Sequence, residues 1–445
     1  MSELDPSIFQ VSIYPEASLR DGSGSGGVLA DLFACDLTKQ LSEKFTVALS
    51  KRQTKKLWVS GEGKNVSRIA HLGFKPGEQS HNFEMLTGIF LYYAWGGCST
   101  AGTAYGSPKT DTLATRVGDH SVTVVTGSWT GFSAPGDMLK ITNGTYANRV
   151  YPIKSWTANS KTLVFYNHQT ILPADIMTSN VGGAPTVSIV TAPFTHTLSE
   201  ANTLPSFAMH IEEQYTTNPL YLDLLGCVVK SIEIVTEVGS DTPVMLNMEL
   251  IVAKVKDSIA DSVVTVTTPD VLALSRLTWG SVSVMSLTYN SAQIETMLTY
   301  CKKHSFKLTN DVNMAQIFGD DYPNRVDAGK REYEIAYTVM IRNLTWFALS
   351  RLKCPDFTAQ YATTGFYVTV IASNIRIGRS ATDYIDLTLA KLRLPPDDFE
   401  EELPTWESDQ GKEWKDVKFE GAPGNTFTGT IIDALSAAYY EKGGA

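Results

Sequence analysis

Cysteine and histidine are scarce in this sequence, and their spacing matches no metal or redox motif. The chain of 445 residues has five cysteines and seven histidines. The cysteines are Cys35, Cys98, Cys227, Cys301 and Cys354, and the histidines are His71, His81, His120, His168, His196, His210 and His304. No two cysteines have the Cys-x-x-Cys spacing, and no two histidines are four residues apart as on a metalloprotease helix. We therefore predict no metal ion, no disulfide framework and no cofactor.

Positive charge is also in short supply. Lys and Arg number 37 against 47 Asp and Glu, which gives a formal net charge of -10. Binding to nucleic acid by phosphate neutralisation requires a basic face. The sequence offers only two short basic clusters, which a solvated surface explains. They are Lys51, Arg52, Lys55 and Lys56, and then Lys302, Lys303 and Lys307. The charge balance therefore predicts a protein that does not hold DNA by charge.

Long apolar runs are missing as well. The longest run, GIFLYYAW at residues 88–95, is much shorter than the ~20 residues that span a bilayer. The N-terminus, MSELDPSIFQ, is acidic where a secretory signal would be basic and then apolar. We expect a chain that is made in the cytosol and is not inserted in a membrane.

Catalytic motifs are equally sparse. Residues 22–27, GSGSGG, fit the G-x-G-x-x-G pattern of a dinucleotide loop, but no buried strand precedes them and no βαβ series follows. Asp320 and Asp321 stand among Gly, Pro and Asn, which are typical of a turn rather than of a cation site. The Asn-x-Ser/Thr sites are at Asn65, Asn143 and Asn343, and they carry no meaning without secretion. We predict no catalytic residue and no enzymatic activity.

The sequence is rich in β-strand pattern. Period-two alternation and β-branched or aromatic residues recur from about residue 120 to 394, which predicts a mainly β protein. One predicted strand buries Tyr333, Ile335, Tyr337, Val339 and Ile341, and another buries Val244, Leu246, Met248, Leu250 and Val252. Since Met340 and Ile251 are apolar on the opposite faces, we expect these strands to be covered in part on both sides. Residues 28–45 and 291–304 are each predicted to form one helix packed on a sheet.

Turn and linker signals indicate a small module inside a larger fold. Residues 118–185 contain short strands, an Asn143-Gly144 hairpin turn and a turn at Asn159-Ser160, and Gly-rich linkers flank them. We predict that this segment is an inserted small β module.

A weak internal echo predicts a duplication of the host domain. Residues 227–234 and 301–308 share the spacing of a cysteine and a serine before an alternating strand. We assign residues 1–117 and 186–270 to a first, discontinuous β domain and 271–395 to a second. The acidic, Pro-rich residues 396–445 are predicted to form an extended arm, which Trp406 and Trp414 would anchor.

Two stretches carry a resemblance to a known family. They are TLPSFAMHIEEQYTTNPLYLDLLGCVVKSIEIVTEVGSDTPVMLNMELIVAK, and KLTNDVNMAQIFGDDYPNRVDAGKREYEIAYTVMI from Lys307. They resemble tail tube proteins of long-tailed bacteriophages and related archaeal viruses. In that family a Leu-Pro-Ser-Phe strand, here Leu204 to Phe207, leads to a Leu-Leu-Gly-Cys-x-Val turn, here Leu224 to Val228, and a hairpin of two long strands follows. The likeness covers about half the chain, residues 204–254 and 289–394.

The resemblance implies β-sandwich domains of the tail-tube type with a flanking helix, whose hairpins join neighbours into rings. It implies a structural virion protein of the viral tail, assembled in the host cytoplasm, with rings of three or six subunits that stack into a tube. Double-stranded DNA would pass through this tube without specific binding. The tape measure, tail terminator and baseplate proteins would be the other partners.

Two other functions compete with this interpretation. The first is another structural virion protein, such as a connector, baseplate or decoration protein, built from the same alternation. The second is a β-sandwich carbohydrate-binding protein, which eight Trp and 19 Tyr could serve as sugar platforms. An assembled tube would favour the first interpretation, and glycan binding would favour the last.

Overall fold

The protein is described from a computed structural model of the chain. The described residues are 9–16, 19, 52–58, 67–74, 77–85, 87–101, 109–127, 138–144, 149–165, 172, 174–178, 184–190, 194–213, 220–239, 243–258, 271–272, 277–289, 291–294, 296–315, 322–323, 325–340, 371–380, 383–393 and 414–433. They form a mainly β structure with large antiparallel sheets, which confirms the mainly β fold predicted from the alternation.

The strands in chain order are β1 Phe9–Pro15, β2 Arg52–Trp58, β3 Ser67–Phe74, β4 Gly77–Glu84, β5 Gly96–Ala101, β6 Lys109–Gly118, β7 Ser121–Val124, β8 Met138–Ile141, β9 Arg149–Thr157, β10 Thr162–Phe165, β11 Thr186–Val190, β12 Phe194–Glu200, β13 Phe207–Glu213, β14 Leu220–Glu237, β15 Met245–Ser258, β16 Val271–Leu272, β17 Val282–Tyr289, β18 Ala292–Gln293, β19 Cys301–Ala315, β20 Arg325–Met340, β21 Ile371–Ser380, β22 Asp383–Arg393 and β23 Trp414–Asp433. The α-helices are α1 Ile89–Trp95 and α2 Met297–Tyr300, and single 3-10 turns occur at Ile176–Thr178 and Trp279–Ser281.

One large antiparallel sheet of 14 strands organises the protein. Its longest path is β1-β13-β14-β19-β20-β23-β22-β21-β17-β18, while β15 joins β14 to β4 and β12 joins β23 to β5. Two strands, β14 and β23, are long enough to pair with two partners end to end along one of their edges. β14 pairs with β13 up to Cys227 and with β19 from Ser231. β23 pairs with β20 up to Glu420 and with β12 from Gly429.

The large sheet contains one five-strand arrangement twice. We define the first repeat as β1, β4, β13, β14 and β15, in the order β4-β15-β14-β13-β1, and the second as β17, β20, β21, β22 and β23, in the order β20-β23-β22-β21-β17. We number the five strands of each repeat by their position along the chain. Across the sheet, both repeats then have the strand order second, fifth, fourth, third, first. The register of the central hairpin shifts in both repeats, by one extra residue, Lys230, in β14 of the first, and by Lys391 of β22 against residues 422–425 of β23 in the second. The chain therefore carries two topologically equivalent halves.

The predicted echo between residues 227–234 and 301–308 does not relate these halves. The first segment lies in β14 and the second in β19, and these strands are antiparallel neighbours with Glu233 opposite Lys307. β14 is the third strand in the order of the first repeat, whereas β19 lies outside both repeats. The echo is therefore wrong as a mark of the duplication, and the equivalent hairpins are β14–β15 and β22–β23.

The two predicted β domains are not separate bodies, because they share one sheet and one hydrophobic core. The predicted arm, residues 396–445, is wrong for residues 414–433, because β23 lies between β20 and β22 in the middle of the sheet. Trp414 pairs with Met340 at the start of β23 and is 43% exposed, and Trp406 lies outside the described residues.

The segment predicted as an inserted module lies in a separate sheet of seven strands, in the order β10-β7-β6-β11-β8-β9-β16. Its strands from β6 to β11 span residues 109–190, which is wider than the predicted 118–185 at both ends. We call residues 109–190 the inserted module. It has its own hydrophobic cluster around Tyr151 and Phe165, and it is inserted between β5 and β12, which pair directly with each other. Turns lie at Asn143-Gly144 and at residues 158–161, near the predicted positions.

Helix α1 fills the centre of the main core. All seven of its residues are buried, and it ends at Gly96 in the left-handed conformation with φ 88°. Trp95 stacks on Phe427 at 4.5 Å between ring centroids. Because α1 belongs to the first half and Phe427 to β23, this contact joins the two repeats through apolar packing.

The predicted strand faces are confirmed, and one predicted helix is wrong. In β20 the residues Tyr333, Ile335, Tyr337 and Val339 are buried and alternate with half-buried ones, and Ile341 lies outside the described residues. In and before β15 the buried set is Val244, Leu246, Met248, Leu250 and Val252, while Ile251 is buried on the opposite face. The predicted helix 291–304 reduces to α2, because β19 begins at Cys301 and pairs with β20. The predicted helix 28–45 lies outside the described residues.

Candidate assembly surfaces

A broad polar face runs across six adjacent strands of the large sheet, β4, β15, β14, β19, β20 and β23. Along each strand the polar residues of this face alternate with apolar residues, whose side chains enter the core from the opposite face. Its acidic residues are Glu78, Glu84, Glu233, Glu237, Glu249, Asp311, Glu332, Glu334, Asp416 and Glu420, and its basic residues are Lys230, Lys303, Lys307 and Lys418. We call this surface the polar face. It is acidic overall, since its carboxylates outnumber its ammonium groups.

Most of the basic residues on the polar face are bound to neighbouring carboxylates. The Nζ of Lys418 lies 2.8 Å from Glu334, and that of Lys303 lies 3.6 Å from Glu237. Lys230 reaches Glu78 at 3.4 Å. Between these strands lies an open groove of about 470 Å³, lined by residues of β14, β19, β20 and β23. Lysines that are already paired offer little net positive charge to a phosphate backbone.

Apolar side chains are exposed at one end of the same strands. Val238 follows β14, Leu298 precedes β19, and Trp414 begins β23. They are 50%, 53% and 43% exposed, respectively. Since β14 ends where its antiparallel neighbour β19 begins, and β23 runs in the same direction as β19, all three lie at the same end of the sheet. We call this set the apolar rim.

The junction between the two repeats has two parts. In the first, β14 of the first repeat pairs with β19, which forms a hairpin with β20 of the second. In the second, β12 pairs with residues 429–433 of β23. There the Nε2 of His196 lies 3.2 Å from the Oδ1 of Asp433, and Thr100 bonds its Nδ1 at 2.9 Å.

A buried polar network also ties α1 to the strands. The side-chain amide of Asn310 donates to the carbonyl of Ala94 at 3.0 Å and to that of Val229 at 3.2 Å. The indole N–H of Trp95 donates to the hydroxyl of Tyr333 at 3.1 Å, and that hydroxyl donates to Glu200. Because these donors are out of contact with water, each bond holds the helix in one position.

The buried titratable groups are suited to packing rather than to catalysis. Burial lowers the pKa of His304 to about 3 and that of His81 to about 4. Burial raises the pKa of Cys301 to about 12, and burial and then Glu16 raise the pKa of the Cys227 thiol. A thiol with a raised pKa is a poor nucleophile. These side chains therefore stay neutral and inert near neutral pH.

The candidate site residues weighed in the sequence cannot be compared with the described part of the structure. Residues 22–27, Asp320 and Asp321 lie outside the described residues. Among the residues that are described, no group of three His, Cys, Asp or Glu side chains could hold a metal ion. The implied turn at Leu224 to Val228 is instead a bulge within β14, where Gly226 has φ 66° and its N–H donates to the buried Glu16 at 3.0 Å.

No family model and no curated protein matches this chain. Within the described part of the chain, no helix is long and apolar enough to cross a bilayer. The features that sequence reasoning missed are α1, β23 and the repeated strand order. Only β23 left a usable signal, the alternation of Val417 and Phe419 with Asp416, Lys418 and Glu420.

Proposed function

We propose that this chain is a structural subunit of a viral tail tube and has no enzymatic activity. Copies of the chain would form closed rings, and the rings would stack into a tube through which double-stranded DNA passes. The proposal joins the resemblance at residues 204–254 and 289–394 to one observation, the five-strand arrangement that occurs twice in one continuous sheet.

The repeated arrangement supports a ring because its two copies lie side by side. If further chains add repeats in the same relative position, the repeats continue around a ring. A closed ring leaves no strand edge open. The resemblance implies rings of three or six subunits, and with two repeats in each chain three chains already supply six repeats. We therefore favour three subunits over six.

The polar face supports the second part of the proposal, a channel for DNA. A lumen lined by this face would be acidic overall and would repel phosphates, so DNA would slide without the salt-dependent binding that basic walls produce. Specific recognition of bases is not required for this role.

The remaining surfaces have roles in the same assembly. The apolar rim would meet the next ring along the axis, where the neighbouring ring would remove its apolar side chains from water. The inserted module would project from the outside, where an insertion between paired strands disturbs no contact. The tape measure, tail terminator and baseplate proteins remain the proposed partners at the tube ends.

Electron microscopy of the purified protein tests this function. We expect tubes or rings with threefold symmetry and an acidic lumen. Closed shells or caps on other particles would instead indicate a different virion structural protein. A monomer that binds glycans on an array would indicate the carbohydrate-binding alternative.

Charge reversals on the polar face test the lumen. The fourfold variant Glu233→Lys/Glu249→Lys/Glu334→Lys/Asp416→Lys turns the excess of acidic residues on the polar face into an excess of basic ones, and we expect its tubes to retain DNA in a salt-dependent way. The variant Glu200→Lys would not serve as control, because Glu200 accepts a hydrogen bond from the buried Tyr333. The exposed Asp119→Lys in the inserted module is suitable, and its tubes should not retain DNA. Equal retention by both variants would contradict the lumen assignment.

A further inference from the structure

Each repeat is accompanied by one more element, a hairpin arm. β19 pairs with β14 as far as Thr309, and β20 pairs with β23 from Glu334 onward. Beyond these points, residues 310–315 and 325–331 pair with each other and with no other strand in the described part of the chain. We call these residues the second arm. The β2–β3 hairpin directly precedes β4, which corresponds to β20 in the strand order, and we call this hairpin the first arm.

The two arms have the same bulge at their bases. In each arm one residue of the first strand stands opposite two residues of the second strand, and one of these two is a glycine. In the first arm Phe74 follows the bulge, and pairing with β15 starts three residues later at Gly77. In the second arm Arg331 follows the bulge, and pairing with β23 starts three residues later at Glu334. The bulges are formed by Gln53 opposite Leu72 and Gly73, and by Asp311 opposite Gly329 and Lys330.

The second arm covers the hairpin of the other repeat. Its Val312 and Met314 are buried in one cluster with Val228, Ile251 and Ala253. The last three residues belong to β14 and β15, on the face of this hairpin that is directed away from the main core. The arm that precedes the second repeat therefore lies on the β14–β15 hairpin of the first repeat.

The corresponding surface of the second repeat is the outer face of the β22–β23 hairpin. In the first repeat Val228 pairs with Ile251, one residue before a pair that packs in the main core. In the second repeat Thr388 pairs with Thr428, again one residue before a pair that packs in or against the main core. Thr388 and Thr428 therefore take the places of Val228 and Ile251. The two core pairs are Val229 with Leu250, and Leu389 with Phe427.

These threonine side chains are open to solvent. Thr428 is exposed, and Thr388 and Thr430 are half-buried. By contrast Ile251 is 5% exposed, and Ala253, which corresponds to Thr430, is 0% exposed. We call Thr388, Thr428 and Thr430 the threonine face. Since Thr428 is exposed, the first arm of the same chain does not cover this face.

The first arm forms a sheet of only two strands. Within the described residues, β2 and β3 pair with each other and with no further strand. A hairpin of two strands is marginally stable in water unless it packs on another surface. The second arm has such a surface in the β14–β15 hairpin, and the first arm needs an equivalent one.

We propose that the first arm of one copy of this chain packs on the threonine face of another copy. The contact repeats between copies the one that the second arm makes within the chain. Threonine suits both states of the face. Its hydroxyl group is solvated in the free subunit, and its methyl group packs well on a pleated surface once the arm covers it.

The contact is head to tail, because the arm belongs to the first repeat and the threonine face to the second. Such a heterologous contact generates a closed ring when the rotation between copies closes, and an open filament when it does not. This inference deepens the proposed function and rests on it for ring closure. Packing of the arm on the threonine face can be measured apart from the shape of the assembly.

Hydrogen–deuterium exchange of the full-length protein, dilute and assembled, tests the contact. We expect the amides of β2 and β3 to exchange at least about tenfold more slowly after assembly, because the first arm then has a supporting surface. The second arm is the internal control, since it already packs on its own chain. Its residues 312–314 and 326–328 should be protected equally in both states. Unchanged exchange in the first arm would overturn the proposal.

Cysteine labelling locates the surface that the arm covers. Thr428→Cys places a thiol on the threonine face, and Thr115→Cys places one on an exposed position of the inserted module. We expect the thiol at position 428 to be alkylated at least about tenfold more slowly in the assembled protein, and the thiol at position 115 to react equally in both states. The wild type gives the background of the natural cysteines. Equal reactivity at position 428 before and after assembly would contradict the contact.

Two substitutions at one position give a third measurement. The first arm has four basic residues and no acidic one, so Thr428→Arg adds both bulk and like charge to the surface that receives it. We expect this variant to stay folded and to lose assembly. Thr428→Ile copies Ile251 and should assemble at about a fivefold lower protein concentration than the wild type. Assembly of both variants at the wild-type concentration would refute the inference.

The outcomes for the contact and for the tube are distinguishable. If the wild-type protein forms tubes in which the first arm stays unprotected and position 428 stays reactive, the contact is wrong and the tube remains. If it forms only head-to-tail oligomers in which both are protected, the contact is right and the proposed function is wrong.

Discussion

Replacing His304 by leucine should stabilise the protein and reduce its sensitivity to acid. His304 is fully buried in β19, and neither of its ring nitrogens has a hydrogen-bond partner. Its ring packs edge-on against Tyr337, with 4.9 Å between centroids. Leucine has a similar volume and leaves no polar atom unsatisfied. We therefore expect His304→Leu to raise the free energy of unfolding by about 1–2 kcal/mol at pH 7.5.

The effect of pH follows from the lowered pKa of His304. Its pKa is about 3 in the folded protein, because burial disfavours the charged ring, against 6.5 for a histidine exposed to water. Below pH 6.5 the unfolded chain therefore binds a proton at His304, whereas the folded chain binds it only near pH 3. The free energy of unfolding falls as the pH is lowered through this window. Two pH units below 6.5, at pH 4.5, the loss is about 3 kcal/mol. The leucine variant should not suffer this loss.

Urea denaturation at pH 7.5, 5.5 and 4.5 measures both effects. The midpoint of His304→Leu should exceed that of the wild type at pH 7.5, and the difference should grow at each lower pH. His81→Leu is the matched control, because His81 should lose stability over a narrower window, from pH 6.5 to about 4. If His304→Leu has the wild-type midpoint at pH 7.5 and the wild-type pH dependence, the unsatisfied buried ring is not a source of instability.

Four further predictions concern the network, the module, the rim and metals. Asn310→Leu should lower the free energy of unfolding, measured in urea, by about 2–4 kcal/mol, because the carbonyls of Ala94 and Val229 lose their donor. A loss of less than about 1 kcal/mol would mean that these carbonyls find other donors. Replacing residues 102–193 by Asn-Gly should leave assembly intact in the microscope, since Ala101 pairs with Thr195 and a three-residue loop of Asn, Gly and Phe194 can then join their strands. A folded variant without rings would place the module in the ring contact. Trp414→Ser should shorten tubes while rings persist, and tubes of normal length would exclude the apolar rim from stacking. Chelation should leave the unfolding temperature unchanged, and a lower temperature would reveal a bound metal.

The strands were the most predictable part of the fold, because burial of one face imposes a period of two. Tyr333 and its partners in β20 show this pattern clearly, and the structure buries them as expected. Helix α1 was not predicted, because it is buried on all sides and residues 88–95 therefore show no periodicity. The predicted helix 291–304 was wrong because four apolar positions at three- and four-residue spacings also fit a short turn followed by β19.

Features that depend on distant residues could not be predicted. The acidic composition of residues 396–445 indicated an exposed arm, yet Asp416, Lys418 and Glu420 are one face of a strand whose other face is buried. Which strand lies next to β23 is decided by packing against β20, β22 and β12. The repeated strand order is likewise a property of topology, and the two halves share too few residue types for the sequence to reveal it.

The pairings of β23 have a consequence for the rate of folding. His196 and Asp433 are 237 residues apart in the sequence, and β12, β20 and β22 all pair with β23. Contacts between residues so far apart close large loops, which slows folding. We expect the pairing of β12 with β23 to form late when the protein refolds, so partly folded chains would expose strand edges that can join other copies before the sheet is complete.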